Sequence, residues 1–267
     1  MIGKTLTGSN PSLEQRRQQA LAIAEQCIHL LKQDLGATDV ILFGSLRGDA
    51  PWHWRSDLDL AVVGMSETAI WQAYGMLEKI VPSWLKFDLV ALEQVPPEVR
   101  TRILQEKPMP DNHYLALKAR IEDEMIALER NVERLTALLA QAETVPEIAL
   151  TPALASYVAD FYTGCERISE RVAIMLDGSL PQGEHWHQGL LLQVADPDRN
   201  NRPLLWPNSL LLRLDEYRKF RHLARHRYNV ELEVAKVLVL AQTVPPVWAD
   251  VQQAITIFAQ WLEQQGH

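Results

Sequence analysis

The sequence predicts an α+β fold: a small mixed sheet with helices over residues 1–110, followed by an all-α helical bundle over residues 111–267. Three observations lead there. Short β-branched and aromatic runs alternate with helix-length patterns in the first part. Strand signals nearly vanish from His113 onward, where apolar residues recur in long series of three- and four-residue steps. Between the two textures, Pro108-Met109-Pro110 reads as a linker.

In the first part, Leu13, Ala20, Ile23, Ala24, Cys27, Leu30 and Leu31 line one face of a helix over 12–35, and Gly36 is placed to end it. Asp39-Val40-Ile41-Leu42-Phe43 is a strand that stops at Gly44, and Leu58 to Val63 and Phe87 to Leu92 are a second and a third. Glu67 to Ile80 is helical, and Pro96-Pro97 opens a short helix to about Leu104. In the second part, Leu117, Ile121, Met125, Leu128, Val132, Leu135 and Leu139 mark one long amphipathic helix. Leu154, Val158, Phe161, Cys165, Ile168, Val172 and Met175 mark another. Further helices are expected over 207–228 and 231–242, with Pro245-Pro246 separating the last from 248–264.

With 267 residues, 47% of them hydrophobic, the chain can bury one large core or two ordinary ones. The net charge of −8 is spread over both parts: eleven basic against thirteen acidic residues over 1–110, and fifteen against twenty-one over 111–267. A broad nucleic-acid-binding face, which needs net positive charge, is therefore disfavoured. Cys27 and Cys165 fall among apolar residues at helical spacing and read as buried free thiols. The polar start, Met1 to Gln15, lacks the apolar core of a signal peptide, and no apolar run approaches the roughly 18 residues of a membrane span. A reducing, cytoplasmic compartment with no membrane partner is the expectation.

Carboxylates carry the chemistry of the first part. Asp57-Leu58-Asp59 opens the second strand, and the period-two alternation of a strand turns Asp57 and Asp59 to one face. Two adjacent carboxylates repel unless a cation lies between them. Mg²⁺ suits the position, since it takes hard oxygen ligands and commonly one or two carboxylates plus substrate phosphates. Asp88, centred in the third strand, is placed to bind a second ion or to accept a proton from an attacking hydroxyl. Gly44 permits close approach of a triphosphate to the backbone, and Ser45 can donate hydrogen bonds to it. Trp52 and Trp54 in the intervening loop read either as adenine-stacking surfaces or as packing for the loop.

The run Gly44-Ser45-Leu46-Arg47-Gly48-Asp49, an intervening stretch, then Ser56-Asp57-Leu58-Asp59-Leu60 resembles the signature of polymerase-β-type nucleotidyltransferases, in particular the minimal nucleotidyltransferases. The resemblance spans roughly residues 10–107. It implies that Asp57, Asp59 and Asp88 hold two Mg²⁺ ions and ATP, and that a nucleoside monophosphate passes to a hydroxyl. It places Gly44, Ser45 and Arg47 at the nucleotide. The spacer from Ser45 to Asp57 is one residue longer than usual, which leaves the aim of Arg47 and Arg55 open.

The second part carries a basic stripe, Arg213–Arg227, with Arg213, Arg218, Lys219, Arg221, Arg225 and Arg227 against Asp215 and Glu216. An RNA substrate is the partner such a stripe suggests. Within it, a neutral His226 can take a ribose 2′-hydroxyl proton and Arg221 can stabilise a charged phosphorane; an ordinary basic helix face is the plainer reading. At about 100° per residue, Arg221 and Tyr228 share a face while His226 is turned about 140° from Arg221, so helix distortion or a second chain is needed to join them. His185 and His187, two apart, suit no helix-borne metal pair and are taken as structural or loop residues.

Arg221, four residues, His226, one residue, Tyr228 resembles the Arg-x4-His-x-Tyr motif of HEPN domains, and the resemblance spans roughly residues 113–264. It implies a metal-independent ribonuclease that works as a homodimer through the helical domain. In paired minimal-nucleotidyltransferase–HEPN toxin–antitoxin modules the first partner adenylylates the motif tyrosine and silences the ribonuclease, which implies Tyr228 as acceptor. Two rivals stay open: a small-molecule nucleotidyltransferase of the aminoglycoside-modifying type, and a non-catalytic nucleotide-binding regulator.

Overall fold

A computed structural model describes residues 12–49, 52–105, 110–225 and 233–266. Helix α1 (Leu13–Gln33) starts at Ser12, whose hydroxyl accepts from the Gln15 N–H while Gln15 returns the bond, a reciprocal N-cap. Strand β1 (Asp39–Phe43) leads directly into a one-turn helix, α2 (Gly44–Arg47). Strand β2 (Leu58–Val63), helix α3 (Glu67–Ile80), strand β3 (Phe87–Ala91) and helix α4 (Pro97–Ile103) follow. Contacts divide the chain into Met1–Met109 and Pro110–His267.

The sheet order is β1-β2-β3, with β1 antiparallel and β3 parallel to the central strand. Leu58, Leu60 and Val62 of β2 turn to one face and pack with Ala20, Ala24, Cys27 and Leu31 of α1 and Ala73 and Leu77 of α3. On the other face, Ala61 packs with Leu92 and Ile103 beside Phe43, Val63 and Val90. By the same alternation Asp59 and Asp88 belong to this second face, away from the α1–α3 layer.

The second unit comprises α5 (His113–Leu139), α6 (Glu147–Asp177), α7 (Trp186–Val194), α8 (Asn208–Arg225) and α9 (Val234–Gly266). Its core joins Leu117, Leu128 and Leu135 of α5 to Phe161, Cys165 and Val172 of α6, Leu214 and Tyr217 of α8 and Val251 and Phe258 of α9. Gly164 of α6 lies so near α5 that a Cβ would stand 2.5 Å from Leu128 Cδ2 and 2.7 Å from its Cγ. Gly164→Ala is therefore expected to lower Tm. Overpacking of about 1–3 kcal/mol outweighs roughly 1 kcal/mol of helix propensity gained; a raised Tm in a thermal melt would contradict the close helix approach.

The structure departs from the sequence expectation at the prolines of α9 and in two short helices. Pro245 and Pro246 lie inside α9 rather than separating two helices. Val237, Ala241, Val244, Val247, Trp248 and Val251 keep the three–four spacing across the prolines and are buried, so core packing outweighs two missing N–H donors. Continuous, α9 is long and apolar enough by length and composition to cross a membrane, although no uninterrupted apolar run is, and 33% of the relevant window is buried in the unit. The turn after β1 and the Trp186 segment form α2 and α7, neither of which the periodicity marks. His226, Arg227 and Tyr228 lie outside the described residues.

Candidate functional site

Antiparallel pairing places Phe43 opposite Asp59, and parallel pairing places Asp59 opposite Asp88. The sheet thus sets Gly44, Asp59 and Asp88 side by side, and Asp57, expected to open the strand, immediately precedes β2. Gly44 has φ +74°, the left-handed region, and a Cβ at this position would overlap the Asp59 carboxylate. Glycine is required here by both the turn and the close approach.

The Gly44–Asp49 turn is held from within. The Gly44 N–H donates to Asp49 Oδ2 at 2.9 Å, and Arg47 Nε donates to Asp49 Oδ1 at 2.9 Å. Arg47 Nη1 donates to the Ile103 carbonyl at 2.9 Å, tying α4 to the turn. Arg47, expected at the nucleotide, braces the glycine turn through these contacts. Asp49 is the residue that sequence reasoning passed over; an acidic side chain five residues after the glycine was its available signal.

The tryptophans of the loop divide between the two readings. Trp52 packs against the α1–α3 core with its indole N–H buried, which favours packing. Trp54 is exposed, with the Arg16 guanidinium 5.4 Å from its ring centre. His53 Nδ1 accepts the Arg55 N–H at 3.2 Å, and burial, helped by the Arg55 charge, lowers its pKa to about 4, so the ring is neutral at neutral pH. On β3, Asp88 is exposed; burial first, and then the Asp88 charge, raises the Tyr74 phenol, which donates to the Leu89 carbonyl at 2.8 Å.

Asp57, Asp59 and Asp88 are hard oxygen donors of the kind Mg²⁺ selects. Among the described residues no three His, Cys, Asp or Glu side chains are gathered as a ready metal cage. The donor set still fits an ion that needs one or two carboxylates and completes its shell with phosphate and water.

In the helical unit the basic stripe is largely paired. Arg213 meets Asp250 at 2.6 Å, Arg218 and Lys219 meet Asp215 at 2.7 Å each, and Arg221 Nη1 meets Glu166 Oε2 at 3.0 Å. Of the first three cations Lys219 is the most exposed, at 66%, and Arg218 the least, at 19%. Arg221 differs: it is buried, with its guanidinium 5.7 Å from the Tyr162 ring centre. The same Glu166 also meets His187 Nδ1. Burial, then Glu166, pushes the Tyr162 phenol far above its ordinary range, which keeps it protonated. Glu166 was not among the sequence candidates, and His187 was set aside there as structural or loop; a lone carboxylate inside the apolar stripe of α6 was the signal for the first.

A three-stranded mixed sheet with a Gly-Ser turn beside an Asp-x-Asp segment, followed in the chain by a helical bundle, is an α+β architecture. Residues 25–109 match the family model described as Polymerase beta, Nucleotidyltransferase, and residues 153–262 match that described as HepT-like protein. The chain is thus a fusion of a polymerase-β-type nucleotidyltransferase domain with a HepT-like, HEPN-type domain. No curated protein and no solved structure matched it.

Proposed function

We propose that the first unit transfers AMP from Mg²⁺-ATP to Tyr228, and that this silences RNA cleavage by the helical unit. The observation that carries the transferase half is the seating of the Asp59 carboxylate against Gly44, in register with Asp88. Asp57, Asp59 and Asp88 would hold Mg²⁺, which when bound neutralises triphosphate charge and the departing pyrophosphate. Gly44 leaves room at the turn, and Ser45 offers a hydroxyl donor to phosphate oxygens. The Tyr228 phenolic oxygen forms a bond to the α-phosphorus as the bond to pyrophosphate breaks, and the phenolic proton passes to a carboxylate, for which Asp88 is the candidate. The added phosphate and nucleoside would block the Arg213–Arg227 stripe by bulk and like charge toward RNA. Joining both domains in one chain raises the local concentration of the acceptor. A homodimer through the helical unit is part of the same proposal.

Intact-mass measurement and peptide mapping after incubation with Mg²⁺ and ATP test it. Wild type is expected to gain AMP at Tyr228, and Asp57→Asn to gain none. Modification of an added aminoglycoside with no change in protein mass would select the small-molecule reading. RNA cleavage unchanged in His226→Ala would remove His226 from the proposal.

A further inference from the structure

Two consecutive arginines near the start of α1 reach the main chain of three segments that lead into the candidate transferase site. Arg16 Nη2 donates to the Trp84 carbonyl at 2.6 Å and to the Trp54 carbonyl at 3.4 Å. Its guanidinium also lies 4.5 Å from the Trp84 ring centre and 5.4 Å from that of Trp54. Arg17 Nη2 donates to the Leu46 carbonyl at 3.2 Å, inside the Gly44–Arg47 turn. Asp57 follows Trp54 by three residues, and Asp88 follows Trp84 by four. The two loops meet again where the Leu58 N–H donates to the Lys86 carbonyl at 2.9 Å. One guanidinium thus joins the loop that delivers Asp57 to the loop that delivers Asp88, outside the hydrogen bonds of the sheet itself.

A plain fastening of α1 to the unit accounts poorly for Arg16. Ala20, Ala24, Cys27 and Leu31 already bury α1 in the core. A cation in the first turn opposes the helix dipole, which favours an acid there. The hydrogen bonds of Arg16 end on main-chain carbonyls, so they set the course of both loop backbones directly. A planar guanidinium can serve two carbonyls and two indole rings together, whereas a lysine ammonium is a compact point charge.

We propose that Arg16 is a positioning residue for nucleotidyl transfer, holding the Trp54 and Trp84 loops so that Asp57 and Asp88 stand at the spacing a bound metal–nucleotide needs. The assignment rests on the transferase reading above. In it Arg16 touches neither nucleotide nor metal and acts only through the two loops. Asp59, paired on both sides within the sheet, keeps its place without Arg16. Loss of the clamp therefore weakens the ion site rather than erasing it, and a shift of about an ångström at one carboxylate slows transfer by up to about 100-fold.

The test uses full-length chain whose intact mass shows no added adenylate, with AMP gain followed well below the Tm of each variant. Arg16→Lys keeps the charge and loses the planar fork. It is expected to transfer about 10-fold more slowly or less, with a higher Mg²⁺ concentration at half-maximal rate. Mn²⁺ binding in the presence of a nonhydrolysable ATP analogue, followed by electron paramagnetic resonance, is expected to weaken in the same variant by about 10-fold. Arg16→Ala is expected to regain part of its rate with added methylguanidinium and none with methylammonium, a distinction that a change in folding alone would not produce. Wild-type rate, Mg²⁺ dependence and Mn²⁺ binding in Arg16→Lys overturn the assignment and leave the transferase reading standing. Slower transfer with unchanged ion dependence and no preference for methylguanidinium overturns it as well. No gain of AMP by wild type overturns the transferase reading and the assignment with it.

Discussion

Arg202→Ala is expected to cost the helical unit about 3–5 kcal/mol of stability, the usual result of removing one partner from a buried ion pair. Asp177, at the end of α6, has a side chain 0% exposed, and Arg202 Nε donates to its Oδ1 at 2.9 Å from a side chain 1% exposed. The same guanidinium donates to the carbonyls of Gln193, Val194 and Pro203, so it fastens the segment after α7 to the bundle. Arg199 reaches Asp177 only at 3.4 Å and is 38% exposed, so it cannot replace Arg202, and Arg199→Ala is expected to change stability by about 1 kcal/mol or less.

Burial alone would raise the Asp177 pKa, but hydrogen bonds from Arg202 and Gln193 and the charges of Arg202 and Arg199 outweigh it and hold the carboxyl below its ordinary value. A lowered folded pKa means that the stabilisation is present above the ordinary carboxylate range, near 4, and is lost as pH falls through the lowered value. Without Arg202 the buried carboxyl favours its neutral form, so the Arg202→Ala deficit is expected to shrink toward about pH 4. Urea unfolding at both ends of that range measures it; a deficit under about 1 kcal/mol at neutral pH would show that the network is not a stabilising contact.

Gly44→Ala is expected to abolish AMP transfer, by about 100-fold or more, while leaving the helical unit folded. The added methyl meets two obstacles together: a backbone at φ +74° and the Asp59 carboxylate. Relief requires either the turn or Asp59 to move, and both carry the proposed site. Misplacement of a carboxylate proposed to hold the metal by about an ångström is enough for a loss of that size. The control is Gly48→Ala: Gly48 also has positive φ, at +109°, but a Cβ there meets nothing, so it should show strain without carboxylate displacement. Equal, near-wild-type transfer by Gly44→Ala would separate the glycine–aspartate contact from function.

Period-two and three–four patterns located the elements because burial of one face is a local, repeating demand. Strands at Asp39–Phe43 and Leu58–Val63 and the helix at Glu67–Ile80 are read directly from that demand. The adjacency of Asp57 and Asp59 was likewise legible, since alternation is a property of a single strand; that Asp88 lies beside Asp59 follows only from the pairing of β2 with β3. Polar contacts between distant elements follow no period. Arg47 as a brace on Asp49 and Ile103, and Arg221 paired inward to Glu166, emerge only once α4 and α6 are in place. Pro245 and Pro246 show the same limit from the other side, since local propensity favours a break there and only the packed bundle reverses it.

By itself, the sequence determined a two-part α+β chain, the order of its strands and long helices, and the pairing of Asp57 with Asp59 at the start of the second strand, because each follows from chain-local spacing. Tertiary structure alone decided which strand neighbours which, the contact of Gly44 with Asp59, and the convergence of Arg221, Glu166 and His187 on one buried point. The physical reason is that residues 21 or 55 positions apart, such as Glu166 with His187 and Glu166 with Arg221, are brought together by burial of whole helices, and the free energy of that burial resides in the core rather than in the pairs themselves.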